Sequence, residues 1–191
     1  MDLLARAEAL QAEALDVLEL LDLATAFPSF GTAELIGSAR SGLMAWRDLD
    51  LMFTAPDATA AEVLAGVALI AGRPGLLAAD FRDERADRRP TPAITDERFY
   101  AVLRYAGPAG LWKVDLTFWL HAVTRPHVPD AIRLQGITPE QKLTILQLKD
   151  SAPGYPDEIG GSEIYTAVLD HGVRTVAELA AHLRKPDVAG G

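Results

Sequence analysis

The feature that most constrains the fold is a pair of strand-like runs separated by a very short turn. Residues 99–105 and 111–120 are rich in apolar and aromatic side chains, and the segment 107–110 between them reads Gly-Pro-Ala-Gly. Two such runs around a four-residue turn that contains glycine are typical of a β-hairpin. The sequence therefore predicts antiparallel strands here, so the chain is not built from helices alone.

The other elements follow from hydrophobic periodicity and from turn residues. Apolar side chains repeat every three or four positions in the predicted helices, and we place these at residues 2–26, 41–46 and 59–71. Short apolar runs bounded by glycine, serine or proline predict further strands at residues 33–37, 48–54 and 76–81. The polar segment 82–98 contains two prolines and is predicted to be a long loop.

Beyond Pro129 the pattern becomes helical. Three helices are predicted to begin at residues that cap helix N-termini, namely Thr138, Ser162 and Thr175. The last residues, 186–191, are predicted to be a frayed tail. The expected organisation is an α+β fold with an α+β domain at 1–128 and a small C-terminal helical lobe at 129–191.

The composition excludes several classes of protein. The chain has 191 residues and no cysteine, which excludes disulfide scaffolds, thiolate metal sites and cysteine nucleophiles. It has no apolar run near the ~20 residues that a membrane-spanning helix needs, and its first residues lack the basic start of a signal peptide. We therefore expect a cytoplasmic protein with no membrane partner.

The net charge indicates which partners suit the chain. Asp and Glu number 27 against 18 Lys and Arg, which gives −9 at pH 7. Binding to nucleic acid needs clustered Lys and Arg to neutralise phosphates, so the charge argues against a nucleic-acid partner. An acidic chain suits divalent cations or cationic small molecules instead.

Three aspartates are the candidate catalytic and metal-binding residues. Side chains alternate faces along a strand, so Asp48 and Asp50 share one face of the strand at 48–54, and Asp115 shares a face with Lys113 on the hairpin strand. If the two strands are neighbours, three carboxylates converge, and their mutual repulsion favours a cation between them. Mg²⁺ or Mn²⁺ is the simplest choice, because both ions prefer carboxylate oxygens.

A glycine-serine turn lies upstream of the aspartate pair. Glycine lets the backbone approach a ligand closely, and the amides at the start of a helix carry partial positive charge. Gly37 and Ser38 are therefore candidate phosphate-binding residues. A phosphate site beside three carboxylates suits phosphoryl or nucleotidyl transfer assisted by metal ions.

This ordered set resembles the nucleotidyltransferase superfamily that includes DNA polymerase beta, in particular its small antibiotic-type and minimal members. The chain carries a hydrophobic-Gly-Ser turn ending at Ser38, then nine residues, then Asp48-Leu49-Asp50, and later the separate Val-Asp-Leu around Asp115. The resemblance implies a mixed sheet with flanking helices. It also implies that Gly37 and Ser38 bind a triphosphate, that Asp48 and Asp50 hold metal ions, and that Asp115 completes the metal site and helps to deprotonate the acceptor.

Two further residues are candidates for nucleotide binding. Many relatives have an arginine directly before the glycine that follows the turn, whereas this chain has Arg40 one position earlier, with Ser41 in that place. The helical lobe is similar in placement to that of aminoglycoside and lincosamide nucleotidyltransferases, and a lysine from this lobe, Lys149, is the candidate to reach the triphosphate. The favoured interpretation of Lys149 is nevertheless an ordinary surface lysine.

The expected function is that of a magnesium-dependent nucleotidyltransferase of the EC 2.7.7 type. It moves a nucleoside monophosphate from a nucleoside triphosphate such as ATP to an acceptor hydroxyl and releases pyrophosphate, with a small-molecule acceptor favoured. The alternative is a non-catalytic nucleotide-binding module, or an antitoxin-like module that binds a protein partner. Simpler interpretations are a solvated strand face, an ion pair of Lys113 with Asp115, or a chance spacing in an unrelated α+β domain.

Overall fold

The predicted hairpin lies inside a five-stranded mixed sheet, and this confirms the expected fold class. The computed structural model describes residues 2–184, so the predicted tail at 186–191 lies outside the described residues. The strands are β1 (Glu34–Leu35), β2 (Asp48–Thr54), β3 (Leu76–Glu84), β4 (Arg98–Gly107) and β5 (Gly110–Trp119). Their order is β1-β2-β5-β4-β3, in which β2 and β5 are parallel and the other neighbours are antiparallel.

Helices flank the sheet and form the lobe. They are α1 (Leu3–Leu21), α2 (Leu23–Ala26), α3 (Gly37–Ser41), α4 (Ala60–Ala71), α5 (His127–Gln135), α6 (Pro139–Ser151), α7 (Gly161–Leu169) and α8 (Val176–Leu183). Thr59, Thr138 and Thr175 each form a capping box at the start of a helix. A capping box satisfies two backbone N–H groups that the helix itself leaves unpaired, which fixes where α4, α6 and α8 begin.

One face of the sheet is buried under α1, α2 and α4. Alternation along β2 sends Leu49, Leu51 and Phe53 to this face, where Phe53 stacks on Phe118 of β5 with ring centroids 4.9 Å apart. Both rings are almost fully buried, and burial of such a side chain contributes roughly 1.5–3 kcal/mol. The same alternation turns Asp48 and Asp50 to the opposite face, which the helical lobe overhangs.

The lobe has its own core, and that core reaches the first domain. Leu43, which follows α3, is buried among Leu134, Ile145, Leu148 and Ile164 of the lobe helices. The segment after α3 therefore packs against the helices of the lobe. An exposed ion pair between Arg6 and Asp150, with Nη1 and Oδ1 2.7 Å apart, also joins α6 to α1.

Several predicted elements differ from the structure. The helix predicted at 41–46 is wrong, because α3 begins four residues earlier and ends where Gly42 adopts φ +74°. The helix predicted at 2–26 is interrupted at Asp22, whose φ of 43° is left-handed. Strand β3 extends to Glu84, into the predicted loop, because its last residues pair with β4.

Two differences concern the lobe. The N-cap of α7 is Gly160 rather than Ser162, because the Glu163 carboxylate accepts a hydrogen bond from the Gly160 N–H. Helix α5 is absent from the predicted elements, in which the first helix of the lobe begins at Thr138. The division of the chain into domains at 128/129 remains a prediction. None of the helices within residues 2–184 has the length and apolar character needed to cross a bilayer.

Candidate active site

The parallel pairing of β2 with β5 brings the three aspartates together. Asp50 lies opposite Asp115 in the register, and Asp48 lies opposite Lys113. One oxygen from each of the three carboxylates lies within 4.8 Å of the others. Paired residues of the two strands are 65 positions apart in sequence yet adjacent in the sheet, so the spacing is not a chance pattern in strands that lie apart. The cluster could hold a metal ion.

Lys113 provides positive charge inside this cluster. Its Nζ lies 2.7 Å from Oδ2 of Asp115 and 3.3 Å from Oδ1 of Asp48. The expected pair of Lys113 with Asp115 is therefore present, but it does not use all the carboxylate oxygens. Tyr100 donates its hydroxyl to the same Oδ2 of Asp115, while Oδ1 is buried without a hydrogen-bond partner among the described residues. Burial of a carboxylate oxygen without a partner costs free energy, and this favours a cation to which the oxygen can bind.

Burial and mutual repulsion raise the pKa of two of the carboxyl groups. The pKa of Asp50 is raised to about 7, chiefly by burial and then by the charges of Asp48 and Asp115. The pKa of Asp48 is also raised by burial, against the lowering effect of Lys113. One lysine thus compensates the cluster only in part. Hard divalent ions prefer such a set of carboxylate oxygens, so the residues fit the ion that the fold implies.

The raised pKa of Asp50 predicts that the metal-free protein becomes less stable as the pH rises. A carboxyl group whose pKa is higher in the folded state than in the unfolded state makes its full contribution to stability at a pH below the unfolded pKa. That contribution is lost as the pH rises through the folded pKa. For Asp50 the window runs from 3.8 to about 7. We expect Asp50→Asn, which resembles the neutral form, to raise the melting temperature in EDTA at about pH 8 and to raise it much less at about pH 5.

The matched control for this measurement is Asp80→Asn. Asp80 lies on the same face of the sheet, on β3, but is exposed and paired with Arg82 at 2.8 Å. Its replacement should give a melting-temperature change without the same pH dependence. A loss of stability in Asp50→Asn at the higher pH would contradict the assignment.

The turn before α3 lies directly against the carboxylates. Gly37 has φ +63°, and a Cβ added there would lie 2.3 Å from Oδ2 of Asp50. Only glycine fits this position, because a side chain would displace the carboxylate and strain the backbone. Ser38 follows it and lines the same cleft. Gly37 and Ser38 are thus brought beside the cluster, as predicted, while their role with phosphate remains a prediction.

A cleft of about 540 Å³ lies between this face of the sheet and the lobe. The first domain contributes Gly37, Ser38, Asp48 and Asp50 to its walls. The lobe side contributes side chains from α5, α6 and α7 and from the loop before α7, including Asp130, Lys149, Tyr155 and Tyr165. The cleft therefore joins the candidate metal and phosphate groups to a wall that the lobe provides.

Lys149 lies in this wall and is almost fully buried, so its interpretation as a surface lysine is wrong. Its Nζ donates to the Leu43 carbonyl oxygen at 2.9 Å and to the Tyr165 hydroxyl at 2.6 Å. Burial lowers the pKa of Lys149 to about 7, while the charges of Asp50 and Asp48 act in the opposite direction. The structure brings Lys149 to the cleft, and its contact with a triphosphate remains a prediction.

Arg40 is not brought to the cleft with the other candidates. Its Nη1 donates to the Leu35 carbonyl oxygen at 3.2 Å, and its own carbonyl accepts a hydrogen bond from Gln135 of α5. The guanidinium group is therefore held against the backbone that leads into α3. In this arrangement it supports the turn, and a direct role in nucleotide binding stays a prediction that the structure does not favour.

Sequence reasoning missed the contribution of α5 to the cleft. The helical pattern is predicted only beyond Pro129, yet Pro129 lies in the first turn of α5, where no helical N–H partner is lost. The useful signal was the buried pair Ala131 and Leu134, three residues apart and typical of a helix face. This helix carries Asp130 into the cleft wall.

Comparison with solved structures confirms the resemblance at the level of the fold. The chain is similar to a cytoplasmic RNA terminal U-transferase, with 15% identity and a TM-score of 0.52 over 88% of this chain and 51% of that one. It is also similar to the poly(A) polymerase complex GLD-2–GLD-3, with 13% identity and a TM-score of 0.56 over 92% and 61%.

These neighbours show the fold and no more, because the identities are low. The chain spans only about half of the first structure and three fifths of the second. No protein-family model and no curated protein matches the sequence. Activity, substrates and partners are therefore argued from the site.

Proposed function

We propose that this chain is a metal-dependent nucleotidyltransferase. The proposal rests on one observation, which is the convergence of the Asp48, Asp50 and Asp115 carboxylates beside the Gly37-Ser38 turn. Structural neighbours with the same fold are nucleotidyltransferases. The expected reaction transfers a nucleoside monophosphate from a nucleoside triphosphate to an acceptor hydroxyl and releases pyrophosphate.

The three carboxylates would hold a divalent cation such as Mg²⁺ or Mn²⁺. The unpartnered Oδ1 of Asp115 and the raised pKa of Asp50 both favour this, since a bound cation would supply a ligand partner and compensate charge. When bound, such an ion neutralises charge on the phosphates and lowers the pKa of a hydroxyl. The residue types therefore suit the ion and its chemistry.

The remaining residues of the site bind and orient. The backbone at Gly37 and the hydroxyl of Ser38 would hold the triphosphate, and this is supported by the contact of Gly37 with Asp50 and by the position of Ser38 in the wall of the cleft. The acceptor oxygen forms a bond to the α-phosphorus, the bond from that phosphorus to the bridging oxygen breaks, and pyrophosphate leaves. Asp115 is the residue proposed to take the proton of the acceptor hydroxyl. Such a reaction depends mainly on positioning and on charge stabilisation.

The acceptor, the nucleotide and the location in the cell are finer parts of the sequence-based prediction, and the likeness of fold does not specify them. A small-molecule acceptor and the absence of a nucleic-acid partner gain no support from the neighbours, one of which is an RNA terminal U-transferase and the other a poly(A) polymerase. The choice of ATP and the location in the cell are likewise proposals. The acceptor is therefore argued from this chain's own surface below.

Metal removal gives the direct test of the proposed function. Pyrophosphate release is measured with each common nucleoside triphosphate and a mixed panel of RNA, DNA and aminoglycoside acceptors. We expect release in Mg²⁺, loss to background in EDTA, and recovery when Mg²⁺ or Mn²⁺ is restored, because the carboxylates need a cation. Melting curves are measured in EDTA to check that the protein stays folded without metal.

The result that contradicts the proposal is equally clear. If nucleoside triphosphate binds tightly in Mg²⁺ by calorimetry but no acceptor yields pyrophosphate, the chain is a nucleotide-binding module. Release that continues at full rate in EDTA would exclude the carboxylate cluster as the site of catalysis.

A further inference from the structure

A second cavity, here called the side cavity, lies next to the catalytic cleft. It has a volume of about 630 Å³ and lies among α1, the segment 45–47 and the strands β4 and β5. Three side chains line both spaces, namely Trp46, Arg104 and Lys113. Gly37 and Ser38 line the cleft and not the side cavity. The two spaces therefore approach the same cluster from different sides.

Lys113 connects the side cavity to the aspartate cluster. This boundary residue places Nζ 2.7 Å from Oδ2 of Asp115. Lys113 therefore borders the side cavity and contacts the carboxylates as well. If the triphosphate lies over Gly37 and Ser38, the side cavity is where an attacking group would be held.

The side cavity is basic although the chain is acidic. Four basic side chains line it and one acidic side chain, Glu13, in a protein with net charge −9. Three of the four basic side chains are paired, namely Arg47 with Glu13 at 2.9 Å, Arg6 with Asp150 at 2.7 Å and Lys113 with Asp115 at 2.7 Å. Arg104 is exposed, and its guanidinium forms no hydrogen bond or ion pair with any residue in the described range 2–184. An unpaired guanidinium beside other cations is suited to bind phosphate.

The rest of the side cavity is apolar and aromatic. Trp46 forms part of the wall shared with the cleft, and Leu111 is 55% exposed at the rim beside Leu10 on the α1 side. An aromatic wall with a cationic rim binds single-stranded nucleic acid by base stacking and by phosphate contacts. A cationic aminoglycoside would meet the like charge of Arg104, which no carboxylate of the described residues compensates, and this disfavours it.

We propose that the side cavity is the acceptor site and that it binds the 3′ end of a single-stranded polynucleotide. Arg104 contacts the phosphates near the end, Trp46 stacks on a terminal base, and the 3′-hydroxyl points past Lys113 toward Asp115. This inference rests on the proposed function and names its acceptor. The terminal 3′-oxygen forms the bond to the α-phosphorus, its proton passes to Asp115, and pyrophosphate leaves.

Binding without turnover tests the inference separately from catalysis. The anisotropy of 5′-labelled single-stranded RNA and DNA is followed against protein in Mg²⁺ without nucleotide, over a range of KCl concentrations. We expect Arg104→Gln to weaken binding about ten-fold and to lower the salt slope by about 0.7, the value for one phosphate contact on a single strand. Both sugar types are included because phosphate and base are common to them.

Two matched variants complete this experiment. Arg174→Gln removes another exposed guanidinium, one that is bonded to Glu140 in the lobe and lines neither cavity, and it should leave binding unchanged. Glu13→Gln removes the acidic side chain from the side cavity and should tighten binding, which is opposite in sign to Arg104→Gln. Since Arg104 and Arg174 are exposed, Arg104→Gln and Arg174→Gln should keep the wild-type melting temperature within a few degrees, and this is measured.

Each outcome decides between the proposals. Extension of the RNA or DNA by nucleoside triphosphate, lost in parallel with binding in Arg104→Gln, supports the inference. Turnover on an aminoglycoside, with no binding or extension of either polynucleotide, overturns it and leaves the proposed function intact. Binding with the Arg104 dependence but no turnover on any acceptor overturns the proposed function and keeps the polynucleotide site. Equal competition by a free mononucleotide overturns the assignment to a strand end.

Discussion

The Asp50→Asn variant is expected to lose about three orders of magnitude in pyrophosphate release while it stays folded, because the metal site supplies several kcal/mol and each ~1.4 kcal/mol is a factor of ten. Asparagine keeps the shape of the side chain and removes its charge. Asp50 lies against Gly37 and belongs to the carboxylate cluster, so in the proposed reaction its charge would act on both the metal and the phosphate side.

The stability of this variant separates lost chemistry from lost structure. The raised pKa of Asp50 predicts a more stable metal-free protein after the substitution at alkaline pH, so stability and activity change in opposite directions. Asp80→Asn is the control, because Asp80 lies on the same face of the sheet but pairs with Arg82 in solvent. Activity near the wild-type level in Asp50→Asn would refute the role of Asp50, whatever the acceptor is.

Local signals predicted the elements that are governed by local chemistry. The hairpin, the strand at Asp48–Thr54 and the helices capped by Thr59, Thr138 and Thr175 lie within one or two residues of their predicted positions. Turn residues and caps act over a few positions, so they can be recognised in the sequence. The face shared by Asp48 and Asp50 is likewise a property of one strand.

The arrangement of the site depended on contacts between distant segments. The insertion of β5 between β2 and β4 pairs Asp50 with Asp115, and no local pattern specifies that pairing. The burial of Lys149 follows from the packing of α6 and α7 on Leu43, so its spacing from Lys142 gave no indication of it. The side cavity was missed for the same reason, since its basic residues come from α1, the segment 45–47 and the hairpin.

The short helix α3 shows how one residue changes a local prediction. A helix was expected at 41–46, but Gly42 adopts φ +74° and ends it after Ser41. The helix starts instead at Gly37, whose left-handed φ brings the backbone against Asp50. This shift places the glycine turn at the carboxylates, so a methyl group added at Gly37 would meet Asp50.

Gly37→Ala is the second substitution with a large expected effect. The added Cβ would lie 2.3 Å from Oδ2 of Asp50, so either the turn or the carboxylate must move. A left-handed φ costs a residue with a side chain roughly 1–2 kcal/mol, and a displacement of about 1 Å in a catalytic geometry lowers the rate ~100-fold. We expect both a lower melting temperature and a loss of pyrophosphate release of that size.

Gly31→Ala distinguishes the two effects, because Gly31 also has a left-handed φ, +74°, yet an added Cβ would meet no atom within 4 Å. Backbone strain alone should lower its melting temperature by a similar amount and leave the rate of the folded protein unchanged. The difference between the two alanine variants therefore measures the clash with Asp50. If both variants lost activity equally, or if Gly37→Ala kept it, the turn would not position the carboxylate, and the link between phosphate binding and the aspartate cluster would have to be abandoned.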